Sequence, residues 1–388
     1  MQKTPVAIYV HIPFCKQKCL YCDFLSFCMD KTVHDSYVNN LLKEIEHYKN
    51  EEILIDSIFF GGGTPTLIEY ELIGKILCKL KSCFEIASDA EITIEANPGT
   101  VSFNSLSAYK NMGINRISFG LQSADDEELK RLGRIHDYKT FEESFFLARK
   151  AGFDNINVDL IMAIPGQHIA SYEQTLDTVI ALAPEHISAY SLIIEEGTPY
   201  YDMYKDEDAA CVGHDEKKEK YFSLPDEDEE RSMYALNRCK LSAAGYSQYE
   251  ISNFAKKGYE SRHNIAYWTL KEYIGMGLGA SSYYKGERYR NETDFSLYAD
   301  HFICEESRIK VSEKDTMEEM MFLGLRMNKG VSKKAFYRRF NKTVDEVFVG
   351  IKDKHIQNGL LVEEGDYIRF TEKGMDLSNY CMADFIID

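Results

Sequence analysis

The stretch Tyr9-Val-His-Ile-Pro-Phe-Cys-Lys-Gln-Lys-Cys-Leu-Tyr-Cys22 opens in an apolar, β-branched run and closes on three cysteines. A strand over Val6 to Ile12 therefore delivers its C-terminal end into a loop carrying Cys15, Cys19 and Cys22. Further β-rich segments follow at Ile55 to Phe60, Glu91 to Ala96, Asn115 to Leu121, Ile156 to Ile161 and His186 to Ile194. Helical patterns stand between them, among them Tyr37 to Lys49, Tyr70 to Phe84, Phe103 to Met112, Thr140 to Ala151 and Ile169 to Ala183. Strand and helix in alternation demand crossovers, and right-handed crossovers give parallel strands, in a doubly wound sheet or a (β/α) barrel. In a barrel the loops after the strands build the site. The chemically distinctive residues obey that rule. The cysteines follow the first strand and Gly61-Gly-Gly-Thr-Pro65 the second; Glu95 and Asn97 end the third, Gln122 ends the fourth, and Asp159 lies in the fifth.

Three thiolates at this spacing suit an iron–sulfur cluster, because soft sulfur ligands on one loop reach separate irons of one cubane. Three instead of four leaves one iron open to a substrate, which points to chemistry at the cluster itself. On spacing alone, a zinc knuckle lacking a ligand and a chance grouping of structural thiols stay open. The remaining cysteines, Cys28, Cys78, Cys83, Cys211, Cys239, Cys304 and Cys381, show no ligand spacing and read as core or surface thiols. Ten cysteines without regular pairing and no signal peptide argue for reduced thiols and a cytoplasmic protein over a disulfide framework. Hydrophobic residues make up 44% of the chain, yet no run approaches the length of a membrane span. The net charge of −18 disfavours nucleic acid, whose phosphates require a basic face.

A chain of 388 residues suits one large domain with smaller additions. The barrel is expected over residues 1–230, a connecting extension over 231–312 and a C-terminal domain over 313–388. Between Asp202 and Glu230 stand twelve Asp and Glu against four Lys, the mark of a solvated connection. Beyond it come a helix (Ser232 to Ala244), a strand (Tyr246 to Ile251) and the run Arg262-His-Asn-Ile-Ala-Tyr-Trp268. Helices at Met317 to Met327, Lys333 to Phe340 and Val344 to Gln357 then precede Leu361 to Phe370, which alternates around a Gly-Asp turn like a β-hairpin. That order resembles a winged helix. Residues 331–388 hold nine Lys and Arg against ten Asp and Glu, so packing or partner docking fits this module better than DNA binding.

Gly61-Gly-Gly-Thr-Pro-Thr66 lacks the Lys-Ser or Lys-Thr pair of a phosphate loop; its glycines instead let backbone approach a ligand closely. With Cys15-x3-Cys19-x2-Cys22 one strand earlier, the chain resembles the radical S-adenosylmethionine (SAM) superfamily, and within it the coproporphyrinogen dehydrogenase (HemN) and HemW group. Phe60 to Thr66, Ile94-Glu-Ala-Asn-Pro98, Arg116-Ile-Ser-Phe-Gly-Leu-Gln-Ser123, Leu132-Gly-Arg134, Val158-Asp-Leu-Ile161 and Gly275-Met-Gly-Leu-Gly279 carry that resemblance. It implies an α/β fold, a partial (β/α)6 TIM-like barrel with a smaller C-terminal winged-helix-like domain, and a 4Fe-4S cluster with SAM as cofactors. Cys15, Cys19 and Cys22 would ligate the cluster, and SAM would chelate the fourth iron. Tyr9 and Tyr21 would flank SAM, Gly62 would meet its amino group, and Gly63 and Thr64 would line the adjoining space. Glu95, Gln122, Arg134 and Asp159 would hold its carboxylate and ribose. Arg suits a carboxylate through paired donors, and an acid suits ribose hydroxyls. Reduction of the bound sulfonium would yield methionine and a 5′-deoxyadenosyl radical.

The decarboxylase branch carries a fourth cysteine two residues after the third and a long N-terminal arm. Here Phe24 holds that place and only eight residues precede Tyr9. Cys22-Asp-Phe24 and His263-Asn-Ile-Ala-Tyr-Trp268 instead resemble HemW, which implies heme binding and transfer of heme to an apo-hemoprotein. The alternative is oxygen-independent coproporphyrinogen III dehydrogenation. An exposed-loop His263 beside Tyr267 and Trp268 would offer heme iron an axial nitrogen and the macrocycle aromatic faces. The competing reading is a packed segment in which Trp268 anchors a domain and His263 bonds the backbone. His11, next to the cysteine loop, reads as a supporting hydrogen-bonding residue. A homodimer is compatible with this surface.

Overall fold

The computed structural model describes residues 3–205 and 222–387. Six strands, β1 (Thr4–Ile12), β2 (Ile53–Gly62), β3 (Glu85–Ala96), β4 (Arg116–Gln122), β5 (Ile156–Met162) and β6 (His186–Ser191), run parallel in sequence order. Helices α1 (Lys31–His47), α2 (Tyr70–Cys83), α3 (Phe103–Met112), α4 (Asp126–Arg131), α5 (Tyr138–Lys150) and α6 (Ile169–Leu182) make the crossovers, and α7 (Pro199–Tyr204) follows β6. The expected α/β fold with a large parallel sheet is the one observed.

The next segment widens that sheet at both ends. After α8 (Glu227–Ala243), β7 (Ser247–Gln248) and β8 (Asn253–Ala255) add antiparallel to β6. Helix α9 (Arg262–Trp268) then leads to β9 (Tyr273–Met276), which pairs parallel with β1. Strands β10 (Ser281–Tyr284) and β11 (Glu287–Asn291), helix α10 (Phe295–Asp300) and strand β12 (Ile303–Lys310) follow. Among the described residues the sheet thus has twelve strands, with β12 at one edge and β7 at the other. Residues of α8, β8, β9 and α10 share one hydrophobic core with the six β/α units. A second core joins α11 (Glu313–Leu325), β13 (Val331–Ser332), α12 (Lys333–Phe340), α13 (Val344–Val347), α14 (Ile351–Gln357), β14 (Leu361–Glu364) and β15 (Tyr367–Phe370).

Strand periodicity explains what the sheet encloses. Val6, Ile8, Val10 and Ile12, like Ile58 and Phe60, are fully buried in the core beneath the helices. The alternate positions are polar: Tyr9 and His11 on β1, Ser57 on β2, Glu91, Thr93 and Glu95 on β3, Arg116 and Ser118 on β4, Asn157 and Asp159 on β5, and His186 and Ser188 on β6. Because successive side chains point to opposite faces, these residues share the concave face. Hydrogen bonds across it confirm this, from Asn157 Nδ2 to Ser118 Oγ (2.7 Å) and between His186 Nδ1 and Asn157 Oδ1 (2.6 Å).

Several expected elements differ. The helix expected over Val344 to Gln357 breaks into α13 and α14 at Gly350, whose φ of 75° leaves the helical region. The strand expected over Tyr246 to Ile251 shortens to β7, because the Glu250 carboxylate accepts from Ser252 N (2.9 Å) and turns the chain. The strand expected to reach Ile194 stops at Ser191. Of the acidic connection, residues 206–221, including Cys211, lie outside the described residues. The run Arg262 to Trp268 is not an exposed loop: it is helix α9, and His263 is 1% exposed.

Candidate functional site

The cysteine loop springs from the C-terminal end of β1 and is held by backbone. Cys15 N donates to Phe27 O (3.0 Å), Phe27 N to Pro13 O (2.8 Å), Leu20 N to Leu132 O (3.1 Å) and Cys22 N to Cys19 O (3.3 Å). Beneath it, His11 joins the loop to the barrel. Its Nε2 bonds Leu25 O (2.8 Å) and its Nδ1 meets the Tyr9 hydroxyl (3.0 Å). Burial lowers the His11 pKa, so the ring is neutral: Nε2 donates to the carbonyl and Nδ1 accepts from the phenol. The supporting role expected of His11 is what the structure shows.

The end of β2 forms a shelf against this loop. Gly63 N donates to Ile12 O (2.9 Å) and Thr64 N to Phe14 O (2.7 Å). A Cβ at Gly63 would lie 2.6 Å from Phe14 O and 2.9 Å from Ile12 O, so only glycine allows the approach. Gly62, at φ 107°, donates its N–H to Glu95 Oε2 (3.2 Å). Thr64 Oγ1 stands 3.7 Å from Cys15 Sγ and accepts from Asn97 Nδ2 (2.7 Å). Asn97 Oδ1 in turn accepts from Arg134 Nη2 (2.9 Å), whose Nη1 reaches Cys19 Sγ (3.5 Å). Arg134 Nη2 also donates to Gly120 O. A Cβ at Gly120 would stand 2.9 Å from both Arg134 Nη2 and Gln122 Nε2, so the glycine makes room for them. Gln122 itself sits at φ 76°, a conformation costly for a non-glycine residue and typical of ligand sites.

Two acids lie in the lumen below. Asp159 accepts from Ser118 Oγ (2.9 Å) and Asn157 Nδ2 (2.8 Å). Burial raises the pKa of Asp159 and, with the neighbouring Asp159 charge, pushes Glu95 up to about 8. Glu95 therefore keeps its proton in the folded protein where the unfolded chain has lost it. That contribution to stability is fully present below the ordinary glutamate pKa and is lost as pH rises through about 8. Glu95→Gln should flatten this fall, which is at most about 1.4 kcal/mol per pH unit. Denaturant midpoints at pH 5 and 9 check it.

The structure thus brings Tyr9, Cys15, Cys19, Gly62, Gly63, Thr64, Glu95, Gln122, Arg134 and Asp159 to one end of the sheet. Tyr21 and Cys22 belong to the same loop, and burial raises both their pKa values, Cys22 to about 11. Sequence reasoning assigned no role to Asn97, which bridges Thr64 and Arg134, or to Tyr190, which is 39% exposed within the concave face. Asn97 does appear in the strand-end pattern; Tyr190 carries no signal but its period-2 place on β6.

His263, Tyr267 and Trp268 lie on α9, which packs against β2 and β3; the His263 ring stands 6.4 Å from that of Tyr9, and Tyr267 faces Glu95. Glu91, on β3, caps α9 by accepting from Arg262 N and His263 N (both 3.1 Å). His263 Nδ1 bonds Ser57 Oγ (3.1 Å), and Nε2 bonds the Tyr267 hydroxyl (2.9 Å). Its ring stacks on Phe59 at 5.0 Å, and burial pushes its pKa down to about 3. Arg326 covers the Trp268 ring at 4.4 Å and stands 3.7 Å from Glu250, so Trp268 joins the large sheet to the C-terminal unit. In this arrangement neither His263 nitrogen is free.

The residues present fit an iron–sulfur cluster with SAM. Cys15, Cys19 and Cys22 are free thiols on one loop, and the buried Arg134 Nε lacks a partner among the described residues. No three His, Cys, Asp or Glu side chains among the described residues converge on a single ion. A cubane needs no such convergence, because each thiolate binds a different iron.

The chain matches the family model described as the radical SAM superfamily over residues 9–179 and the HemN C-terminal domain over residues 311–377. It is 36% identical to the heme chaperone HemW of Bacillus subtilis, covering 97% of this chain and 98% of that one. It is 33% identical to the heme chaperone HemW of Escherichia coli, covering 99% of each. The solved structure of E. coli coproporphyrinogen III oxidase (HemN), described as a radical SAM enzyme, superposes with a TM-score of 0.83 at 22% identity, covering 99% of this chain and 90% of that one; this establishes the shared fold. Identity of 36% and 33% over nearly the full length of both chains, with the radical SAM model over residues 9–179, places this chain in the HemW family of radical SAM proteins.

Proposed function

We propose that this protein is a heme chaperone that holds a 4Fe-4S cluster and SAM, binds heme and passes it to an apo-hemoprotein in the cytoplasm. The observation that carries this reading is Phe24, 60% exposed where the decarboxylase branch carries a fourth cysteine, in a chain alike to HemW relatives from end to end. When bound, the cluster and SAM supply one-electron chemistry at a sulfonium. The chain's own residues hold and orient. Cys15, Cys19 and Cys22 would be the cluster ligands, with Arg134 and Thr64 donating toward their sulfurs. The free Nε of Arg134 is the group left to meet a carboxylate, Gly62 and Gly63 give a ligand amine close access to backbone, and Asp159 and Glu95 would take ribose hydroxyls. Tyr9 and Tyr21 would flank the nucleoside.

For heme, contact through His263 would require α9 to lift from Glu91 and Ser57, so Tyr267 and Trp268 would move with it. No helix among the described residues is long and apolar enough to cross a membrane. The deciding experiment is heme titration of anaerobically reconstituted protein, followed by transfer to an apo-hemoprotein. A stoichiometric Soret band that migrates to the acceptor is expected. Absence of that band, or protoporphyrinogen formed at an enzymatic rate from coproporphyrinogen III, SAM and a reductant, would replace this reading with the dehydrogenase.

A further inference from the structure

Arg116 opens β4 and is 2% exposed, and its Nε has no partner among the described residues. A buried guanidinium without a direct partner is costly, so its charge must be balanced nearby. The register locates the balance. Arg116 pairs with Thr93 on β3, one inward-facing step before Glu95, and Glu95 pairs with Ser118 on β4. On the other flank Ser118 pairs with Asn157 and Gly120 with Asp159. Arg116 therefore occupies the layer beneath both acids. Their hydrogen bonds go to Gly62, Ser118 and Asn157 instead, and Thr93 Oγ1, in the same layer, is likewise unpartnered. Two open polar groups in one layer suit interior water linking the cation to the acids.

We infer that Arg116 is a positioning residue for the cofactor chamber, its fixed charge at the barrel floor serving as the counter-charge to Glu95 and Asp159 above it. This rests on the reading of those two acids as chamber residues. The charge acts on both acids in the direction that favours ionisation, and it adds to the burial that lowers the pKa values of His186 and His263. Tyr9 and Tyr267 also face Glu95, and Tyr21, Arg134 and Tyr190 face Asp159. None of these tyrosines carries charge at neutral pH, and Arg134 is engaged with Cys19 and Asn97.

The test compares wild type, Arg116→Lys and Arg116→Met without cofactor and with SAM. In the cofactor-free protein, the unfolding midpoint of Arg116→Met should fall further behind wild type as pH rises from 6 to about 9, because the acids then ionise without a counter-charge. Arg116→Lys should track wild type, and Glu95→Gln in the Arg116→Met background should remove part of the widening. SAM affinity of the cluster-loaded protein, by calorimetry, should drop about tenfold in Arg116→Met and recover in Arg116→Lys. A deficit constant across pH and untouched by Glu95→Gln overturns the inference. Wild type that fails to bind SAM overturns the cofactor reading instead, while the cofactor-free comparison still judges Arg116. Should Arg116→Met not fold, Arg116→Lys beside Arg116→Gln gives the same pH comparison.

Discussion

Cys19→Ala should leave a folded protein that holds fewer than one iron per chain after anaerobic reconstitution, against about four for wild type. The sulfur of Cys19 is the one that Arg134 Nη1 approaches at 3.5 Å, so its removal takes the proposed ligand together with the donor pairing around it. The fold should survive because the loop is fastened through main chain: Cys15 to Phe27, Phe27 to Pro13 and Leu20 to Leu132 remain. Far-ultraviolet circular dichroism and the denaturant midpoint of the cofactor-free variant should match wild type within about 1 kcal/mol, as for other substitutions that touch no core packing. Iron analysis together with the reduced-state EPR signal checks the loss. Retention of four irons by Cys19→Ala would remove the cysteine loop from the cluster.

His263→Ala should cost the cofactor-free protein about 2–4 kcal/mol of stability. The ring is 1% exposed, stacks on Phe59 at 5.0 Å and satisfies both Ser57 Oγ and the Tyr267 hydroxyl. Its loss opens a cavity and strands two buried hydroxyls at once. His263→Gln should recover part of the deficit by restoring one of those bonds. The measurement is equilibrium denaturation beside heme titration of the same samples. A variant of unchanged stability that no longer gives a Soret band would identify His263 as a heme ligand presented at the surface, contrary to its buried place on α9 against β2.

Much of this architecture was legible because β/α repetition is written in strands with apolar residues at alternate positions, such as Val6, Ile8, Val10 and Ile12 or Ile156, Val158 and Leu160, all buried in the core. The strand-end residues were legible because glycine triplets and paired acids stand out against such strands. Arg116, Thr93, Asn157 and His186 were not. Each is a single polar residue inside an apolar segment, and its meaning comes only when adjacent strands are laid in register. The environment of His263 was hidden for a related reason. The carboxylate that caps its helix, Glu91, is far away along the chain, so a seven-residue stretch with little apolar periodicity read as an exposed loop. The break between α13 and α14 was within reach, since Gly350 stands in the middle of the expected helix.

A sheet that does not close on itself keeps two raw margins, each a template for unwanted strand addition. One of them, β7, is two residues long and offers a newcomer almost no ladder. The other, β12, is longer, but Glu305, Glu306, Arg308 and Lys310 crowd it with ionic side chains, and Arg308 is already clamped between Glu287 and Glu305. Stacking a second molecule along β12 would strand those charges, and along β7 it would find almost no ladder, so both margins of the large sheet are guarded against fibrillar growth.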